Sequence, residues 1–200
     1  MLVVLGWALA GAMPVEAQVQ VGLRMGAVGS TEIVRDSVVE PIEVRPQVAP
    51  QIGLAASFLW RDRLRIGATF AVSRSDLQAI SDSATTSVTR LTLWAPGVFL
   101  RVGALPWLTA EARLGAVVYD PSETEGTLFS EGAPIEPYLG VGVAVERALG
   151  NRLAASLFAQ YDAHRFTTAA LDDRGFTGKT LVHRIALGLS LSREFGHATP

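Results

Sequence analysis

The chain has 200 residues, 49% of them hydrophobic and only 18% charged, with a formal net charge of -2. That apolar bias excludes an intrinsically disordered chain, and the near-neutral balance excludes a basic field for gripping nucleic acid. The absence of cysteine removes disulfide frameworks, thiol catalysis and thiolate metal sites, and a single lysine, Lys179, replaces the usual solvated lysine surface.

Residues 2–13 (LVVLGWALAGAM) form an apolar run followed by Pro14-Val15-Glu16-Ala17. The run is shorter than the ~20 residues of a membrane-spanning helix. Val15 and Ala17 stand at the minus-three and minus-one positions for cleavage before Gln18, although no Lys or Arg precedes the run. The expectation is a signal peptide over 1–17 and one domain over 18–200.

Beyond Gln18 the dominant signal is alternation with period two, the mark of strands with two unlike faces. In 18–28, Val19, Val21, Leu23, Met25 and Ala27 oppose Gln18, Gln20, Gly22, Arg24 and Gly26. Residues 51–60 set Ile52, Leu54, Ala56, Phe58 and Trp60 against Gln51, Gly53, Ala55 and Ser57. The next strand sets Leu64, Ile66, Ala68, Phe70 and Val72 against Arg65, Gly67, Thr69 and Ser73. Residues 87–102 show Leu91, Leu93 and Ala95, then Val98, Leu100 and Val102. Their frame slips by one at Pro96-Gly97, so a β-bulge is expected there, with all six residues on one face. Further strands occupy 107–119, 135–146, 153–165 and 181–195, making eight.

The connections differ at the two ends. Those at 61–63, 103–106 and 147–152 are short, whereas 29–50, 74–87, 120–134 and 166–180 are long and polar. Partial alternation in 29–50 suggests strands extending into a loop hairpin. Short turns on one rim and long loops on the other predict an all-β, eight-stranded antiparallel up-and-down transmembrane barrel.

The same strand count would suit a soluble periplasmic lipid carrier, with the faces reversed. The polar face, however, is crowded with Gly, Ala and Ser and carries no Lys, as a narrow packed interior requires. The apolar face carries no Asp, Glu, Lys or Arg, and His183 near a rim is its one ionisable residue. A charge facing lipid costs about 2–4 kcal/mol at mid-membrane, so the apolar side is expected outward.

The alternating strands and the last of them, Arg184-Ile185-Ala186-Leu187-Gly188-Leu189-Ser190-Leu191-Ser192-Arg193-Glu194-Phe195, resemble the small bacterial outer-membrane β-barrels. These are the type of the OmpA transmembrane domain and the opacity proteins. The resemblance implies an outer-membrane location, lipid and lipopolysaccharide as surroundings, and no cofactor. It also implies that Phe195 signals to the barrel-assembly machinery, although residues 196–200 follow it.

Inward charges on the seven unslipped strands are Arg24, Arg65, Arg113 and Arg184 against Glu111, Glu136 and Asp162. Charges withdrawn from water must be paired, so these predict an ion-pair network plugging the lumen. Eight strands leave little room for a channel. His164 invites comparison with lipid-A-modifying enzymes of similar architecture, whose deacylases carry His-x-Ser. Here the tripeptide is His164-Arg165-Phe166, and Ser156 lies about 26 Å along the strand, too far for nucleophile and base. Asp120, Glu123, Glu125 and Glu131 lack the spacing of a calcium loop, so a solvated face is expected and no metal. The expected role is non-enzymatic: envelope structure, or binding of a ligand the sequence does not identify through long outer loops.

Overall fold

The computed structural model describes residues 18–36, 42–81, 84–123, 129, 134–168, 171 and 180–196; the expected signal peptide lies outside them. Among these residues there are ten strands: β1 (Val19–Ser30), β2 (Val34–Asp36), β3 (Ile42–Pro46), β4 (Ala49–Arg61), β5 (Leu64–Ile80), β6 (Thr85–Leu105), β7 (Leu108–Pro121), β8 (Ile135–Ala148), β9 (Leu153–Phe166) and β10 (Thr180–Phe195). Eight long ones pair antiparallel with their neighbours. The β10–β1 and β5–β6 ladders complete the ring, so the barrel has no free edge. The first ring strand pairs with the last over its whole length, from Val19 opposite Phe195 to Ser30 opposite Arg184.

The short β2–β3 hairpin lies where the sequence suggested one. β3 adds to the outer part of β5, with Glu43 opposite Ile80 and Pro46 opposite Leu77. The 74–87 connection is shorter than expected. β5 continues to Ile80 and β6 begins at Thr85, because Ser73, Ser75 and Leu77 keep pairing with Leu93, Leu91 and Thr89 beyond the membrane-level strand.

The apolar side faces outward. Leu139 is 67% exposed and Leu189 62%, whereas Arg184 on the other face is 2% exposed. A soluble carrier would show the reverse. Trp60, Trp107 and Phe195 are exposed near the short-turn rim; Trp94, Phe70 and Tyr161 form the corresponding belt toward the loops. The 12 steps of β10 between Phe195 and His183, at ~3.4 Å each and tilted ~40°, rise about 30 Å. That length spans the apolar band of a membrane with its aromatic girdles.

One expectation is corrected. No bulge occurs at Pro96-Gly97: β5 and β6 stay in register from Leu64–Val102 through Phe70–Pro96 to Leu77–Thr89, and the irregularity falls at Leu77/Gln78. Alternation in β6 therefore runs unbroken, and Leu91, Leu93 and Ala95 point inward and are buried while Val98, Leu100 and Val102 point out. The physical reason is that the loop end of the barrel interior is apolar. Leu91 and Leu93 join Ile33, Val34, Val44, Leu77, Val117, Tyr119, Phe129, Tyr138, Phe166, Leu171 and Val182 in one buried cluster. An inward face that is polar at mid-barrel and apolar above it mimics a frame slip.

Candidate functional site: the barrel interior

The polar part of the interior is organised by Glu111, on the inward face of β7. Its Oε2 lies 2.8 Å from Arg101 Nη2 on β6 and 3.1 Å from Arg24 Nη2 on β1, and its Oε1 lies 3.3 Å from Arg113 Nε. Arg113 Nη1 then donates to Asp162 Oδ1 at 3.0 Å and to Gln160 Oε1 at 2.9 Å, both on β9. The Arg24 guanidinium also lies over the rings of Phe99 and Phe158, a cation–π arrangement that covers its faces. The layer thus ties together four strands that are not all neighbours, across the barrel as well as around it.

Glycines make room for the large inward side chains. Gly97 and Gly115 face each other on β6 and β7, and a Cβ at either would collide with the Tyr138 ring or hydroxyl. Tyr138 is thereby laid across the interior, with its hydroxyl 3.5 Å from Arg113 Nη2.

The sequence-derived set divides in the structure. Arg24, Glu111, Arg113 and Asp162 come together. Arg184 is buried beside them, opposite Asp162 in the β9–β10 ladder. Arg65 does not join: it pairs at 2.6 Å with Glu194 near the short-turn mouth. Glu136 stands four residues from Gly140 toward the loop end and is engaged there, outside the Glu111 ion pairs. Arg101 is the member that the sequence reading missed. Once Leu91, Leu93 and Ala95 are read as inward, unbroken alternation places Arg101 on the same face, so the signal was present.

Above this layer His164 Nε2 and the Tyr119 hydroxyl share a hydrogen bond of 2.5 Å, both residues buried. Asp162, the potential orienter of His164, is occupied by Arg113. Phe129 and Phe166 pack against Tyr119 and against each other, with Tyr119 and Phe166 centroids 4.9 Å apart. Of the acidic loop residues, Asp120 accepts a bond of 3.3 Å from Trp94 Nε1; Glu125 and Glu131 lie outside the described residues. No metal-binding cluster of His, Asp and Glu occurs among the described residues.

At the opposite end a cavity of about 370 Å³ opens between the short turns, lined by Gln20, Arg65, Arg101, Glu146 and Glu194 among others. Phe195 closes β10 at this rim, 46% exposed, under the Arg193 guanidinium.

No protein-family model matches the chain, and no curated protein matches its sequence. Its fold is matched by solved structures. OprG from Pseudomonas aeruginosa aligns with a TM-score of 0.62 at 12% identity, covering 91% of this chain and 97% of that one. Neisserial surface protein A gives 0.60 at 11%, covering 88% and 97%. The outer membrane protein AlkL, determined in lipid bilayers, gives 0.55 at 14%, covering 92% of each. With its lipid-facing belt and closed ring of eight strands, the chain has the fold of the small bacterial outer-membrane β-barrels.

Proposed function

We propose that the protein is a non-enzymatic outer-membrane barrel with a closed lumen, serving envelope structure or binding through its outer loops. The observation that carries this reading is double closure. The Glu111 ion-pair layer fills the mid-barrel, and the aromatic cluster of Tyr119, Phe129 and Phe166 fills the loop end. The paired strands β2 and β3, which extend the wall beyond the membrane band, are a platform on which loop binding would sit.

Burial of His164 against Tyr119 supports the non-enzymatic reading, because a catalytic base must reach its substrate. Membrane lipid surrounds the belt, and lipopolysaccharide would meet its outer rim. Phe195 serves in this reading as the signal to the barrel-assembly machinery.

The test compares unheated and boiled outer-membrane fractions on SDS gels. A band that shifts on boiling is expected for wild type, and Phe195→Ala should lower the amount of shifted protein severalfold. Deleting residues 37–41 should leave the shift intact while abolishing binding of cells to the surfaces they otherwise adhere to. A soluble periplasmic protein with no shift would overturn the reading.

A further inference from the structure

The outward face does not stay apolar to its end. On β10 it runs Leu187, Leu189, Leu191 and then Arg193; on β8 it runs Val141, Val143, Val145 and then Arg147, all of them exposed. The expectation of an outer face without arginine therefore fails at the short-turn rim. β9 lies between the two cations. Arg147 stands opposite Ala155 and Arg193 opposite Leu153, which sets their Cα atoms about 12 Å apart at ~4.8 Å per strand and ~3.4 Å per residue. Arg152, exposed in the β8–β9 turn, stands beside them: its carbonyl accepts the Glu194 amide at 2.8 Å, which seats the turn against the end of β10.

No carboxylate answers these cations on the outer wall. The acids of the same strand ends, Glu146 and Glu194, are one position out of phase; both line the mouth cavity, and Glu194 pairs with Arg65 at 2.6 Å. Among the described residues Arg147, Arg152 and Arg193 form no ion pair. The Arg193 guanidinium instead lies 5.3 Å from the centroid of the Phe195 ring, so its charge is carried from the apolar band to the level of the aromatic girdle.

Position selects the ligand. The three arginines prolong a membrane-facing wall at girdle depth, where headgroup phosphates lie. Short turns of such barrels face the periplasm, so the leaflet at this rim offers phospholipid. Clustered arginines without a counter-charge favour a headgroup of net negative charge over a zwitterionic one. We propose that the short-turn rim of β8–β10 binds one anionic phospholipid, with Arg147, Arg152 and Arg193 around its phosphate and its chains against Val145 and Leu191. The inference rests on the membrane placement of the barrel given above.

Phosphatidylglycerol is the probe. Native mass spectrometry of the barrel in detergent, with phosphatidylglycerol and phosphatidylcholine in equal amounts, is expected to show one phosphatidylglycerol retained in preference. Arg147→Gln combined with Arg193→Gln should weaken that retention by about tenfold or more. Arg147→Lys with Arg193→Lys keeps the charge and should retain more than the glutamine pair. Arg74→Gln, an exposed arginine on the loop side of β5, should leave retention unchanged. All five positions are exposed or remote from the interior, and the shift on boiling checks that each variant folds. Soluble glycerol phosphate should not displace the lipid; displacement would assign the arginines to a free phosphate and overturn the lipid assignment. A chain that fails to insert into vesicles would remove the membrane reading and the site together. Insertion with equal retention of both lipids, or retention that survives the glutamine pair, would overturn the site alone.

Discussion

Three guanidiniums approach the two oxygens of Glu111 within 3.3 Å, and for Arg24 and Arg101 it is the only carboxylate partner among the described residues. Removing one partner of a buried pair strands the other charge, at a cost of about 3–5 kcal/mol. Glu111→Gln is therefore expected to lower the unfolding midpoint in detergent strongly, whereas Asp76→Asn, whose partner Arg90 is solvent-exposed, should change it little. Tyr119→Phe leaves His164 Nε2 without its partner in a buried site; a loss of about 1–3 kcal/mol is expected in the same assay. At this scale the sequence revealed more than it usually does. Glu111 and Arg113, two apart on a polar face, declare themselves inward by period alone. Arg101 did not, because Pro96-Gly97 looked like punctuation and concealed the unbroken alternation of β6.

Each ring strand carries the same division along its length, and β10 displays it most plainly. Leu181, Ile185, Leu187, Leu189 and Leu191 are exposed on the outer face, and Val182, Arg184 and Ala186 are buried inside. Depth should grade the cost of a charge on the outer face. Leu189 lies midway between Phe195 and His183, so Leu189→Arg is expected to destabilise the barrel by about 2–4 kcal/mol. Leu181→Arg, beyond His183 at the loop end, should cost about 0–1 kcal/mol. Urea unfolding from lipid vesicles would measure both; equal costs would contradict the placement of the membrane band. His183 itself sits at the boundary, its Nδ1 bonded at 2.5 Å to the Tyr161 hydroxyl, which explains how an ionisable residue is tolerated on this face.

Across the whole molecule the interior has two storeys, an ion-pair layer below and an apolar cluster above. Each blocks passage by a different physics, one by electrostatic pairing and the other by packing. Wild-type protein in planar bilayers is expected to show no steady conductance. Phe166→Ala, which thins only the upper storey, should leave it silent, and a combined Phe166→Ala and Glu111→Gln protein should show openings. Steady conductance from wild type would show that the lumen is not closed.

Local sequence by itself determined the class, the eight strands of the ring, the outward face and four residues that meet in the ion-pair layer. All of these follow from a two-residue period that any extended strand must obey, and from the cost of facing charge to lipid. Tertiary structure alone decided the rest. Whether Arg65 meets Glu111 or Glu194 depends on the register between strands far apart in the chain, which no strand's own pattern contains. Whether Leu91 and Leu93 face lipid or lumen depends on what fills the loop end of the barrel. There β2, β3 and the aromatic residues Tyr119, Phe129, Tyr138 and Phe166 of four other segments supply an apolar partner inside, so the usual inference from apolar to outward fails.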